Sequence, residues 1–164
     1  MDLLFRSTVR AGDPDSVREV VSGTGFFNDE EIAIAGELAQ DALDNPASDY
    51  RFVIAETDGI FAGYSCYGRI GGTVSAYDFY WIAVSNELRG RGIGRRILDE
   101  TVRRIAQAGG GRLYAETSSR DLYIPTRKFY LDNEFFEEAR IEAFYAPDDA
   151  KVIYTRIIPA APSR

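Results

Sequence analysis

Histidine is absent from the 164 residues, and cysteine occurs once, at Cys66. The first absence excludes Ser-His-Asp and Cys-His nucleophilic catalysis and any zinc site built on imidazole. The second excludes an internal disulfide and a cysteine-rich metal site. No metal is therefore expected, and Cys66 reads as a small buried hydrophobe. No apolar run approaches the ~20 residues a membrane helix needs. The opening MDLLFRSTVR also lacks the basic-then-apolar order of a signal peptide, so a cytoplasmic address is expected. Positive charge is in deficit as well: 19 Lys and Arg face 26 Asp and Glu, a net charge of −7. A field of that sign disfavours nucleic acid, which needs many spread cations. Chemistry must then come from tyrosine, carboxylates, backbone groups or a bound co-substrate.

Against that deficit, four arginines and three glycines crowd the eight residues from Arg89 to Arg96. Without those arginines the net charge would be −11, so the cluster works against the general field of the protein and points to a compact anion. The length suits one domain, expected over residues 1–158 with a loose tail at 159–164.

Elements follow from local signals. LLFRSTV (3–9) reads as an opening strand. Asp13-Pro14 reads as a helix start with the aspartate as cap, and Val17, Val20 and Val21 supply the apolar face. Asn28 or Asp29 caps a longer helix in which Ile32, Ala35, Leu38, Ala39, Ala42 and Leu43 recur at three- and four-residue steps, ended by Asn45-Pro46. YRFVIAE and IFAGYSCYGRI flank Thr57-Asp58-Gly59, a strong hairpin signal. TVSAYDFYWIAVS is a third strand of that run. After the Arg/Gly turn, Ile93, Ile97, Thr101, Val102 and Ile105 trace a helical stripe to the stop at Gly109-Gly110-Gly111. RLYAETSS is a strand, PTRKFYLDN a short helix, and FFEEARIEAFYA with KVIYTRII a closing antiparallel pair. The order β, α, α, three strands, α, β, α, β, β implies an α/β fold. Its sheet should be mixed and mostly antiparallel, of about seven strands, with helices on both faces.

The Arg/Gly turn joins a strand to a helix. A helix start offers unpaired N–H groups and about half a positive charge. Gly90, Gly92 and Gly94 let an anion approach the backbone, and Arg89, Arg91 and Arg95 add forked donors for phosphate oxygens. A P-loop is excluded because no Lys-Ser or Lys-Thr follows, and a dinucleotide fingerprint is excluded because Arg95 stands where its last glycine belongs. The pattern present is R-x-x-G-x-G, Arg89-Gly90-Arg91-Gly92-Ile93-Gly94.

That motif resembles the acetyl-coenzyme A loop of the Gcn5-related N-acetyltransferase (GNAT) superfamily. The resemblance extends over roughly residues 50–145: FYWIAVSNELRGRGIGRRIL is similar to the central strand and diphosphate helix, RLYAETSS to the next strand, and RKFYLDNEFF to the tyrosine-bearing short helix. It implies the acyl-CoA N-acyltransferase fold, acetyl-CoA as co-substrate and an amine as acceptor. It also implies that the backbone of Ile82, Ala83 and Val84 pairs with the pantetheine arm, that Arg89 to Arg95 hold the diphosphate, and that Thr126 and Phe129 border the same molecule. Two positions depart from the pattern: Tyr123 replaces a frequent asparagine, and Glu134 a frequent glycine. Asn133 is expected to make the left-handed turn in place of that glycine.

Acetyl transfer needs a neutral amine, a donor to the thioester oxygen and a proton for the thiolate. An alkyl amine of pKa ~10.4 is about one part in 2,500 neutral at pH 7, so a base is wanted. Asp78, eleven residues before Arg89, occupies the place of a glutamate base in the histone-acetylating branch of the superfamily, and Glu116 on the neighbouring strand is the rival. Either carboxylate can instead pair with an arginine or cap a strand end. Tyr130 matches the superfamily's general acid, against the plainer role of a core tyrosine. A backbone N–H near Ile82 is the expected oxyanion donor. Arg96 is expected to pair with Asp99 or Glu100 rather than with phosphate. Phe26, Phe27, Tyr64, Tyr67, Tyr80, Tyr123 and Tyr145 are candidates for an aromatic acceptor wall suited to a cationic amine or amino acid. Transfer to a protein amine, a non-catalytic acyl-CoA sensor and a nucleotide-binding signalling domain remain as alternatives, and the oligomeric state stays open, a homodimer included.

Overall fold

A computed structural model describes residues 1–163. It runs β1 (Leu4–Arg6), α1 (Asp13–Gly23), α2 (Asp29–Asp44), β2 (Arg51–Thr57), β3 (Ile60–Arg69), β4 (Ala76–Val84), α3 (Ile93–Gln107), β5 (Gly111–Ser118), α4 (Ile124–Asp132), β6 (Phe136–Ala146) and β7 (Asp149–Ile158). Short 3-10 turns at Asn86–Leu88 and Asp121–Tyr123 precede α3 and α4. The expected order of helices and strands is the observed one. The seven strands form a sheet of order β1-β2-β3-β4-β5-β7-β6, in which β4 and β5 are parallel. No helix among the described residues is long and apolar enough to cross a membrane.

The chain packs as two compact units, one of Met1–Gly68 with Tyr80–Arg104, the other of Arg69–Phe79 with the chain from Ile105 onward. In the first, β2 and β3 join through Asp58 (φ 51) and Gly59 (φ 76), the two left-handed residues that a tight hairpin turn requires. Period-two alternation then sorts the side chains. Phe52, Ile54, Tyr64 and Cys66 build a core with Val17, Val20 and Val21 of α1 and Ala35 and Ala39 of α2. Gly63 and Ser65 turn to the other face, where Ser65 Oγ meets Thr101 Oγ1 of α3 at 2.7 Å. Helices therefore cover both faces of this part of the sheet. A Cβ at Gly36 would overlap the Arg18 guanidinium, so glycine is what lets α1 and α2 close on each other here.

Asn28 caps α2 through a reciprocal pair with Glu31, as its sequence suggests. Asp13 is not a cap. Gly12 holds that position, and the Asp13 carboxylate, buried at the first turn, accepts from Arg6 Nη1 (2.7 Å), Arg6 Nη2 (2.8 Å) and the Arg10 N–H (2.6 Å). A partner from β1 has outcompeted the local capping bond.

In the second unit, β4 pairs with β5 over Ala76↔Arg112, Tyr77↔Leu113 and Asp78↔Tyr114. β5 lies antiparallel to β7 from Gly111↔Ile158 to Ser118↔Lys151, and β6 returns along β7 with two register shifts. Gly111 (φ 148) brings its backbone against Ser75, whose carbonyl accepts the Arg112 N–H at 3.0 Å. Residues 159–163 carry neither helix nor strand, though Ala161 N–H donates to the Ala106 carbonyl at 2.9 Å. The last residue of the expected tail, position 164, lies outside the described residues.

Candidate active site

Each unit carries some of the candidate residues. In the first, β4 delivers Ile82, Ala83 and Val84 toward the Arg/Gly turn. Ala83 is buried and joins the core under α1 and α2, while Ile82 and Val84 are half-buried. Ser85 N–H bonds to the Ala62 carbonyl at 2.9 Å, fixing the exit of the strand. The turn itself is open. Gly90 (φ 72) and Gly92 (φ 74) are exposed, and a Cβ at either would meet nothing within 4 Å, so their backbone is reachable from solvent. The first bond inside α3 is Arg96 N–H to the Gly92 carbonyl, 3.2 Å. The N–H groups of Gly92, Ile93, Gly94 and Arg95 thus precede any intrahelical partner.

Arg89, Arg91, Arg95 and Arg96 are all exposed around these groups. Arg95 Nε lies 3.9 Å from Asp99, a loose solvent-screened pair. Arg96 does not pair with Asp99 or Glu100: its Nη1 reaches the Met1 carbonyl at 3.5 Å, because Glu100 is taken by Arg103 (2.7 Å) and Arg104 (2.8 Å). Open glycine backbone, a helix start and forked cations together fit a diphosphate ester.

Among the aromatic rings of the same unit, Phe27 meets Trp81 (centroids 4.6 Å) and Tyr50 meets Tyr80 (5.5 Å). Tyr80 keeps 40% of its surface in solvent. Tyr64 and Tyr67, counted among the wall candidates, belong to the interior instead, at 0% and 5% exposure. Tyr64 stacks on Phe52, and its hydroxyl has no hydrogen-bond partner. Burial pushes the Tyr64 phenol and the Cys66 thiol up from their ordinary values.

In the second unit, Tyr130 projects from α4 into a ring cluster with Phe129 (5.8 Å), Phe135 (5.0 Å) and Tyr154 of β7 (5.7 Å). Burial raises its phenol, so it stays a hydrogen-bond donor through neutral pH. Thr126 and Phe129 are half-buried one turn and one residue before it. The start of α4 is anchored by contacts that the sequence pattern did not announce. Arg127 Nη1 donates to the carbonyls of Ser118 (2.7 Å) and Arg120 (2.9 Å). Ser118 Oγ donates to the buried Asp149 carboxylate at 2.5 Å. Asn133 is not the left-handed residue after the helix. Glu134 is, at φ 67, and the Phe135 N–H closes back on the Tyr130 carbonyl at 3.1 Å. Asp78 is half-buried on β4. Glu116 on β5 is engaged by Lys151 Nζ at 2.8 Å, a lysine where an arginine was the expected partner, and Lys151 also sits 4.4 Å over the Phe144 ring. Tyr123 is half-buried, and Tyr145 is exposed beside Phe144. Among the described residues no cluster of Cys, Asp or Glu has the form of a metal site.

A seven-stranded, mostly antiparallel sheet whose central strand feeds an Arg/Gly turn and helix defines the acyl-CoA N-acyltransferase fold. The acetyltransferase (GNAT) domain family matches residues 48–137. A GNAT-family protein from Desulfovibrio desulfuricans superposes with a TM-score of 0.92 at 42% identity, over 96% of this chain and 99% of that one. The chain therefore belongs to the GNAT acetyltransferase family. Two more distant structures share the fold. The ribosomal-protein-S18-alanine N-acetyltransferase of Escherichia coli has a TM-score of 0.74 at 14% identity, over 99% and 98% of the two chains. An aminoglycoside 6'-N-acetyltransferase complexed with coenzyme A has 0.75 at 14%, over 99% and 100%. No curated protein sequence matches.

Proposed function

We propose that the protein is an N-acetyltransferase that moves the acetyl group of acetyl-CoA to a primary amine of a small molecule or amino acid. The observation that carries this reading is the exposed Gly90–Gly92 backbone at the start of α3, ringed by Arg89, Arg91 and Arg95. These groups hold the diphosphate, the backbone of Ile82, Ala83 and Val84 pairs with the pantetheine arm, and Thr126 and Phe129 border the same co-substrate. An amine acceptor is supported by two structures of this fold that are named as N-acetyltransferases, one of a ribosomal-protein alanine and one of an aminoglycoside.

Asp78 accepts the ammonium proton of the acceptor through a water molecule, so that the neutral amine attacks the thioester carbonyl. Glu116, on the neighbouring strand with Lys151 Nζ 2.8 Å away, is the rival base. As the C–N bond forms, an N–H of β4 near Ile82 donates to the carbonyl oxygen. The C–S bond then breaks, and Tyr130 donates its hydroxyl hydrogen bond to the departing thiolate. Full transfer from a phenol near ~10 to a thiolate near ~8.5 would be uphill by at least about 2 kcal/mol, and burial of Tyr130 adds to that, so its role is stabilisation of charge ahead of proton delivery. The exposed and half-buried rings of Phe27, Tyr50, Tyr80 and Trp81 suit the face of a cationic acceptor.

The experiment is free-thiol release from acetyl-CoA across a library of amines, amino acids and basic peptides. Turnover with a small amine supports the reading. Turnover with peptides alone moves the acceptor to proteins, and tight binding without turnover for any amine makes the protein an acyl-CoA sensor.

A further inference from the structure

Asn86 joins the first residue of the diphosphate turn to the end of α1. Its own carbonyl accepts the Arg89 N–H at 3.4 Å, and its side-chain Nδ2 donates to the carbonyl of Gly23, the last residue of α1. The Gly23 carbonyl is among those a helix end leaves without an internal donor. Gly23 also has to be small: a Cβ there would stand 3.0 Å from Asn86 Nδ2. Immediately beyond lies Thr24 to Phe27, a four-residue link to the cap of α2 that carries Gly25 at φ 74 and ends on the Phe27 ring against Trp81 of β4. This link bears Phe26 and Phe27, two of the rings assigned to the acceptor side. One side chain thus spans two segments that the reaction uses separately.

We propose that Asn86 is a positioning residue that couples occupancy of the Arg89–Arg95 turn to the order of the Thr24–Phe27 link. The inference rests on the diphosphate reading above. A ligand that tightens the turn fixes the Asn86 backbone, and the amide it aims at Gly23 then holds the end of α1. Coupling of this kind is reciprocal between the two sites. With the link closed as it stands here, losing the coupling changes its opening far more than it changes co-substrate affinity.

The test is amide hydrogen exchange of residues 24–27 with and without coenzyme A, in the wild type and in Asn86→Ala and Gly23→Ala. Coenzyme A is expected to slow exchange there about fivefold or more in the wild type. Both variants should lose that protection while their coenzyme A Kd moves less than about threefold, and the acceptor KM should rise with the acetyl-CoA KM nearly unchanged. Gly23→Ala is the sharper variant: alanine favours the helix over glycine while its methyl group displaces the Asn86 amide, so a thermal stability close to wild type with the protection lost separates coupling from mere loss of a helix cap. Protection that survives in Asn86→Ala, or coenzyme A binding to the wild type without any protection of 24–27, overturns the coupling alone. Absence of coenzyme A binding to the wild type overturns the diphosphate reading with it.

Discussion

The carboxylate of Glu134 receives the Arg156 Nη2 hydrogen at 2.5 Å while the Glu134 backbone stands at φ 67. An L-residue in that region costs about 1–2 kcal/mol, and the bond helps offset it at the turn that closes the Tyr130 helix. Glu134→Gly is expected to raise stability by about 0.5–1 kcal/mol, since glycine enters that conformation without the Cβ clash. Glu134→Ala should lower it by up to about 1 kcal/mol, keeping the strain and losing the pair. Thermal unfolding checks the opposite signs; equal destabilisation by both variants would refute the assignment.

Three arginines of the turn are expected to matter for binding and the fourth not. Arg89→Ala, Arg91→Ala and Arg95→Ala should each weaken coenzyme A about tenfold or more, the worth of a charge-assisted hydrogen bond. Arg96→Ala should stay within about twofold, its guanidinium being turned to the Met1 carbonyl. Calorimetric titration reads the difference, and rising salt should weaken wild-type binding.

Acid–base roles separate by pH. Tyr130→Phe is expected to lower kcat about 10²-fold or more, with the acetyl-CoA KM little changed. Asp78→Asn should lower kcat/KM at neutral pH by a factor that shrinks toward pH ~10, where the amine loses its proton unaided. Glu116→Gln should leave that profile in place. A deficit at neutral pH that shrinks toward pH ~10 in Glu116→Gln but not in Asp78→Asn would reverse the two assignments.

Buried acids of high pKa set an alkaline limit. The Cys66 thiol and the Tyr64 and Tyr130 phenols are raised by burial, so above their unfolded values only the unfolded chain releases these protons. The stability held below about pH 8.5 is then lost by about 1.4 kcal/mol per pH unit for each group, the phenols joining from about pH 10. Tyr64→Phe removes one such group and an unpartnered hydroxyl, and should raise stability at pH 7 by about 1 kcal/mol. Urea unfolding from pH 7 to 10.5 measures both effects.

Local signals made the element order legible: Asp58-Gly59 turns a hairpin wherever it stands, Asn28 and Glu31 cap each other across three residues, and glycines stop α3. The open Arg/Gly turn was legible for the same reason, because its backbone freedom and charge lie within one short segment. What escaped depends on partners distant in the chain. Asp13 binds Arg6 rather than its own helix, Glu116 binds Lys151, and Arg96 turns to Met1. Periodicity places Tyr64 on an inner face, but only the packing of α1 and α2 seals it from the acceptor side. Glu134 was misjudged because residue type favours Asn133 for a left-handed turn, whereas Arg156 holds the glutamate in it.

The most direct test of the central claim is calorimetric titration of acetyl-CoA into the wild type and into Gly92→Ala, whose methyl group enters the open cradle and strains a left-handed residue. One-to-one binding by the wild type, weakened at least about tenfold in a Gly92→Ala protein that still unfolds cooperatively, is the result predicted. Equal affinity in the two proteins would contradict it.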